Sequence, residues 1–170
     1  MTALGLRTSV HGASQRSQDY NVGIWPWSAD NTIIQYNEVY GTKGQHDAEG
    51  FDSDWNSRNT LIQYNYSHDN EGGFLLICNE GSQPADISAG NTGTIVRYNI
   101  SQNDHHRGIK FSGPVKNTLI YNNTIYVGKR REFRSDSAHG LEWAGSRYLH
   151  LQQHFLCRRK RSVRLRREGQ

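Results

Sequence analysis

GFDSDWNSRNTLIQYNYSHDNEGGFLLI, residues 50–77, carries short apolar runs separated by Asn-rich corners, and these runs recur along the chain. The central one, NTLIQYN at residues 59–65, returns as NTIIQYN (31–37), GTIVRYN (93–99) and NTLIYNN (117–123). The starts lie 28, 34 and 24 residues apart. β-Branched and aromatic residues suit a pleated, half-buried strand. Asn accepts the left-handed backbone that a corner needs, so the closing Asn is expected to turn the chain. A second unit precedes each heptad: VGIWPW from Val22, EGFDSD from Glu49, GGFLLI from Gly72 and RGIKFS from Arg107. In each, a Gly is followed by one large apolar residue, Ile24, Phe51, Phe74 or Ile109.

Two strand units recurring in phase every 24 to 34 residues predict a chain that returns to the same place one strand spacing further on. Stacked copies of Asn37, Asn65, Asn99 and Asn123 would then form an amide ladder along one corner. Isolated turns of a β-sandwich are the alternative, and they give no reason for both units to stay in phase. Composition agrees with many short strands and tight turns: hydrophobic content is only 34%, with 17 Gly and 9 Tyr but 3 Pro. A chain of 170 residues holds one domain with a sizeable core. The two cysteines, Cys78 and Cys157, lie in segments of different character and form no metal-ligand spacing. No stretch approaches a membrane span, and residues 1–19 lack the apolar core of a secretory signal.

The net charge of +4 hides a division. Residues 1–128 hold 8 Lys/Arg against 12 Asp/Glu, and residues 129–170 hold 12 against 4. Corners, Gly-apolar units and period stop together after YNNTIYVG. Three segments are expected: an irregular start (1–18), the repeat body (19–128), and a basic tail (129–170), disordered or partly helical. Such a junction is what a shifted reading frame or misjoined gene produces. Alternatively RRKRSVRLRR is an arm for nucleic acid.

Residues 50–77 and GIWPWSADNTIIQYNEV (23–39) resemble coils of right-handed parallel β-helix proteins in the pectate-lyase-like superfamily, which includes polysaccharide lyases and several glycoside hydrolase families. The resemblance covers residues 19–128. It implies an all-β, right-handed parallel β-helix of about four coils, a fragment of a carbohydrate-active protein, secreted or periplasmic, whose partner is a polysaccharide or oligosaccharide. It speaks for fold more than for reaction, because this architecture hosts many chemistries.

Side chains alternate along a strand, so with Ile24, Phe51, Phe74 and Ile109 inward, Trp25, Asp52, Leu75 and Lys110 form one outward column. Trp27, Asp54, Ile77 and Ser112 form the next. Trp25 and Trp27 either stack on a sugar ring or cover the end of the fold, while Trp55 falls at a turn. Asp52 and Asp54, on one face at about 6.5 to 7 Å, approach the separation of an inverting glycosidase's acid and base. Asp47, Glu49 and Asp52 could instead hold Ca²⁺. That arrangement suits uronate β-elimination with Lys110 as base, as in lyases of the superfamily. His68 and His106, in loops entering the outward strands, are candidate substrate and acid–base groups, and Arg107 could meet a sugar carboxylate. A solvated acidic patch on a non-catalytic, glycan-binding surface protein is the alternative to an enzyme.

Overall fold

The computed structural model describes residues 9–11, 20–44, 46–79, 90–105, 107–113, 115–128 and 150–157. These residues are all-β, with no helix among them. The strands are β1 (Ser9–His11), β2 (Ile33–Gln35), β3 (Glu38–Tyr40), β4 (Glu49–Ser53), β5 (Leu61–Gln63), β6 (Tyr66–His68) and β7 (Gly73–Cys78). They continue with β8 (Asn91–Thr92), β9 (Ile95–Arg97), β10 (Ile100–Gln102), β11 (Arg107–Ser112), β12 (Val115–Lys116), β13 (Leu119–Val127) and β14 (His150–Cys157).

Every strand pair is parallel, and pairing joins repeat to repeat. β2, β5, β9 and β13 form one run, with Ile33, Leu61, Ile95 and Leu119 in register. β1, β3, β6, β10 and β13 form a second, and the long β13 belongs to both. β4, β7 and β11 make a separate three-stranded sheet, and β8 pairs β12. The inward residues of these runs meet in one core: Ile34, Ile62, Val96 and Ile120 from the first, with Phe51, Phe74, Leu75 and Ile77 from the three-stranded sheet.

The amide ladder is present. Asn37 Nδ2 donates to Asn65 Oδ1 (3.0 Å), Asn65 Nδ2 to Asn99 Oδ1 (2.9 Å) and Asn99 Nδ2 to Asn123 Oδ1 (2.8 Å). The turn itself falls elsewhere than expected. The left-handed residues are those just before the ladder, Tyr36, Tyr64, Tyr98 and Asn122, with φ between 53° and 60°. An Asn pointing into the corner spends its side chain on the ladder, so the preceding residue absorbs the bend. The tyrosines there stack outside, Tyr36 on Tyr64 at 5.5 Å and Tyr64 on Tyr98 at 5.4 Å. The heptads' first letters, Asn31, Asn59, Gly93 and Asn117, are also left-handed, which accounts for their restriction to Asn and Gly.

One register differs from the reading by letters. Leu75, not Phe74, stands opposite Phe51 and Ile109, so Leu76 shares the column of Asp52 and Lys110, while Ile77 lies with Ser53 and Phe111. Phe74 therefore falls between Gly50 and Gly108, where neighbouring rungs carry no side chain and its ring is fully buried. The termini also depart from expectation. Ser9–His11 pairs β3, and His150–Cys157, within the tail read as disordered or partly helical, pairs β13. An unpaired parallel edge accepts any extended segment that reaches it. The rest of the tail, with its RRKRSVRLRR run, lies outside the described residues.

Candidate functional site

The outer face of the three-stranded sheet floors a cleft of about 670 Å³. Asp52, Leu76 and Lys110 contribute one row of its floor and Asp54, Cys78 and Ser112 the next. Trp25, Trp27 and Trp55 wall one part, and Tyr20, Val22, His46 and Asp47 complete the lining. Trp25, Asp52 and Lys110 thus line one cleft despite their distance in sequence.

Trp25 and Trp27 are 47% and 56% exposed, so neither is spent on the core. Trp27 packs against Trp55 with ring centroids 5.1 Å apart, and Tyr20 stacks on His46 at 5.4 Å. Such aromatic surfaces offer flat apolar faces beside a polar floor.

Asp52 is only 1% exposed, and its Oδ1 has no hydrogen-bond partner. Burial, followed by the nearby charges of Asp54, Glu49 and Asp47, pushes its pKa up to about 9, against which Lys110 acts weakly. Asp52 is therefore a neutral carboxylic acid near pH 7. Asp54 is half-buried, and its Oδ1 accepts the Trp55 N–H (2.6 Å) and the Cys78 thiol (2.9 Å). An oxygen of each aspartate lies within 4.8 Å of the other. The spacing of about 6.5 to 7 Å expected along a regular strand is the backbone repeat; the side-chain oxygens approach more closely than that, and β4 ends at Ser53, just before Asp54.

Lys110 Nζ donates to Asp47 Oδ1 (2.9 Å) and the His46 carbonyl (3.1 Å), and lies 4.0 Å from Glu49 Oε1. Of the three carboxylates read as a calcium set, Asp47 and Glu49 thus face an ammonium. The group whose ligand atoms do converge is Asp52, Asp54 and Cys78, within 4.8 Å of one another, and its thiol suits a zinc-type cation better than calcium.

His68 does not join the cleft. It sits on β6, in a different sheet, with Nε2 3.2 Å from Glu38 and Nδ1 2.9 Å from Asp69, its ring between Tyr40 and Tyr66. The loop leading to β7 was expected to carry it to the groove edge, but β6 pairing with β3 and β10 holds it outside. His106 and the side chain of Arg107 lie outside the described residues. Cys78, which the one-residue register shift replaces with Ile77, and Tyr20 and His46 are not reached from the sequence, and Trp55, read there as falling at a turn, also lines the cleft. Only the spacing Asp52-x-Asp54, aligned with the correct register of β7, would have pointed to the thiol.

No family model matches the chain. Over 109 residues, 62% of the chain, it is 38% identical to a lacto-N-biosidase of Bifidobacterium longum subsp. longum. That stretch is 6% of the relative. The crystal structure of a GH136 lacto-N-biosidase from Eubacterium ramulus matches 80% of the chain with a TM-score of 0.52 at 24% identity, a likeness of fold. The chain spans 19% of that structure's length, so both comparisons set it beside a small part of much longer glycosidases.

Proposed function

We propose that the chain is part of a glycoside hydrolase, a right-handed parallel β-helix body over residues 19–128 whose cleft cleaves a neutral oligosaccharide of the kind a lacto-N-biosidase acts on. The observation that carries this is a pair of carboxyl groups in unlike surroundings, buried neutral Asp52 beside hydrogen-bonded Asp54, on the floor of an aromatic-walled cleft. In the proposed reaction Asp52 gives its proton to the glycosidic oxygen as the bond to the anomeric carbon breaks, and Asp54 attacks that carbon. Water then cleaves the glycosyl–Asp54 ester and returns a proton to Asp52. The short approach of the two aspartates supports this double displacement, for which carboxyl groups about 5 Å apart are typical, over the inverting route that the strand spacing suggested. The tryptophans would stack on the sugar on either side of the bond.

A uronate substrate fits less well. Asp47 and buried Glu49 face the cleft's one described ammonium, Lys110, and with Asp54 on the same floor these carboxyl groups would repel a sugar carboxylate. Lys110 as an eliminating base would also have to leave Asp47.

A neutral oligosaccharide panel tests the reading. Expected are new reducing ends with no ultraviolet-absorbing unsaturated product, and a loss of about 10³-fold or more in kcat for Asp54→Asn. Unsaturated products, or full activity in Asp54→Asn, would overturn it. A second reading has a specific observation behind it: Asp47 keeps 17% of its side chain exposed in the cleft, so it can reach a substrate more readily than Asp52. With a leaving group that needs no proton, the variant lacking the true acid keeps its first-step rate, so comparing Asp47→Asn with Asp52→Asn decides between them.

A further inference from the structure

Cys78 closes β7 at the foot of the cleft, 7% exposed, between the two aspartates. Its Sγ donates to Asp54 Oδ1 at 2.9 Å and lies 3.9 Å from Asp52 Oδ2. The same Asp54 oxygen receives the Trp55 amide, so one donor comes from Asp54's own turn and the other from the neighbouring strand. Two donors from different directions on one oxygen fix the rotation of a carboxylate about its Cβ–Cγ bond.

We propose that Cys78 is a positioning residue for the hydrolysis, its thiol orienting the Asp54 carboxyl group. This rests on Asp54 being the attacking group. The thiol is not itself a nucleophile, since burial and the surrounding carboxylates push its pKa far up and leave no thiolate to attack. The other charged groups near Cys78 and the two aspartates are Asp47 and Glu49 from the β4 side and Lys110 from β11. Its register partner on β11, Ser112, is uncharged.

The test compares Cys78→Ala and Cys78→Ser in the full chain. Removing the donor should lower kcat about tenfold with KM nearly unchanged. It should also move the acidic limb of the kcat/KM profile upward, because Asp54 loses a bond made to its charged form. The serine hydroxyl should restore most of both. Equal losses in the two variants with an unmoved pH profile would mean mere packing and overturn the proposal, as would wild-type behaviour of Cys78→Ala. Titration of the ¹³C-labelled Asp54 carboxyl gives a readout that needs no turnover: its apparent pKa should rise in Cys78→Ala and fall back in Cys78→Ser. That pattern in a chain that cleaves no sugar supports the positioning and sinks the hydrolase reading instead. No change in the titration sinks the positioning. Should the alanine variant not fold, the same titration of Cys78→Ser against wild type decides, and an indifferent Asp54 overturns the proposal only if a donor-free Cys78→Val is indifferent too.

Discussion

Replacing Asp52 with Asn should make the protein more stable above neutral pH. Asp52 carries its proton in the folded chain up to about pH 9 and in the unfolded chain only to 3.8. Folding therefore takes up a proton throughout that window, and stability falls as pH rises across it, by about 1.4 kcal/mol per unit for this one group. Asp104 complicates the lower part of the window, since burial raises its pKa to about 6. Between about pH 6.5 and about pH 8.5 that second group is already ionised in both states, and the contribution of Asp52 over those units is roughly 3 kcal/mol. Asn is the neutral isostere and titrates nowhere, so the variant should lose that slope. Urea unfolding at the two pH values, on wild type and Asp52→Asn, reads it directly. Wild type should lose about 3 kcal/mol more than the variant on going up in pH. Equal losses would mean that Asp52 is ionised in the folded protein, and its role as a proton donor would go with that result.

Asp104→Asn should flatten the stability profile between pH 3.8 and about 6 without touching the cleft, since its amide oxygen can still accept from Asn70 while its NH2 donates to the Ser101 hydroxyl, which can turn to accept. Asn99→Ala should cost roughly 3 kcal/mol and lower Tm, because the Asn65 amide and the Ile62 and Arg97 carbonyls lose a buried partner at once. Gly72→Ala should be worse, for a Cβ there would overlap the Asp47 carbonyl and force the backbone of a cleft residue to shift. Trp27→Ala should leave thermal stability almost unchanged, the ring being 56% exposed, while raising KM for an oligosaccharide about five- to tenfold.

The sequence discloses the stacking because identical letters recur where side chains must meet their own kind. Asn37, Asn65, Asn99 and Asn123 bond side chain to side chain, each to the next, and a ladder of that sort cannot be built from a varied alphabet. The acidic floor was legible for the same reason: Asp52 and Lys110 follow residues that line up across rungs. What stayed hidden depends on a single step of register. Aligning Phe74 with Phe51 is natural by letter, yet a ring fits best opposite two glycines, and that preference lies in volume rather than in pattern. The step carried Cys78 out of view. His68 failed differently, because proximity to Gly72 in sequence says nothing about which sheet claims the preceding strand.

The asparagine ladder also has a direction. Each of its three links runs from the amide of one repeat to the oxygen of the next, so the bond dipoles add head to tail and strengthen one another. The two ends of the row are consequently unlike: a further repeat stacked ahead of Asn37 would have to bring a hydrogen to it, and one stacked beyond Asn123 an oxygen. Such a polarity acts as a key at each join, admitting a neighbouring repeat in one orientation and turning away the same repeat reversed.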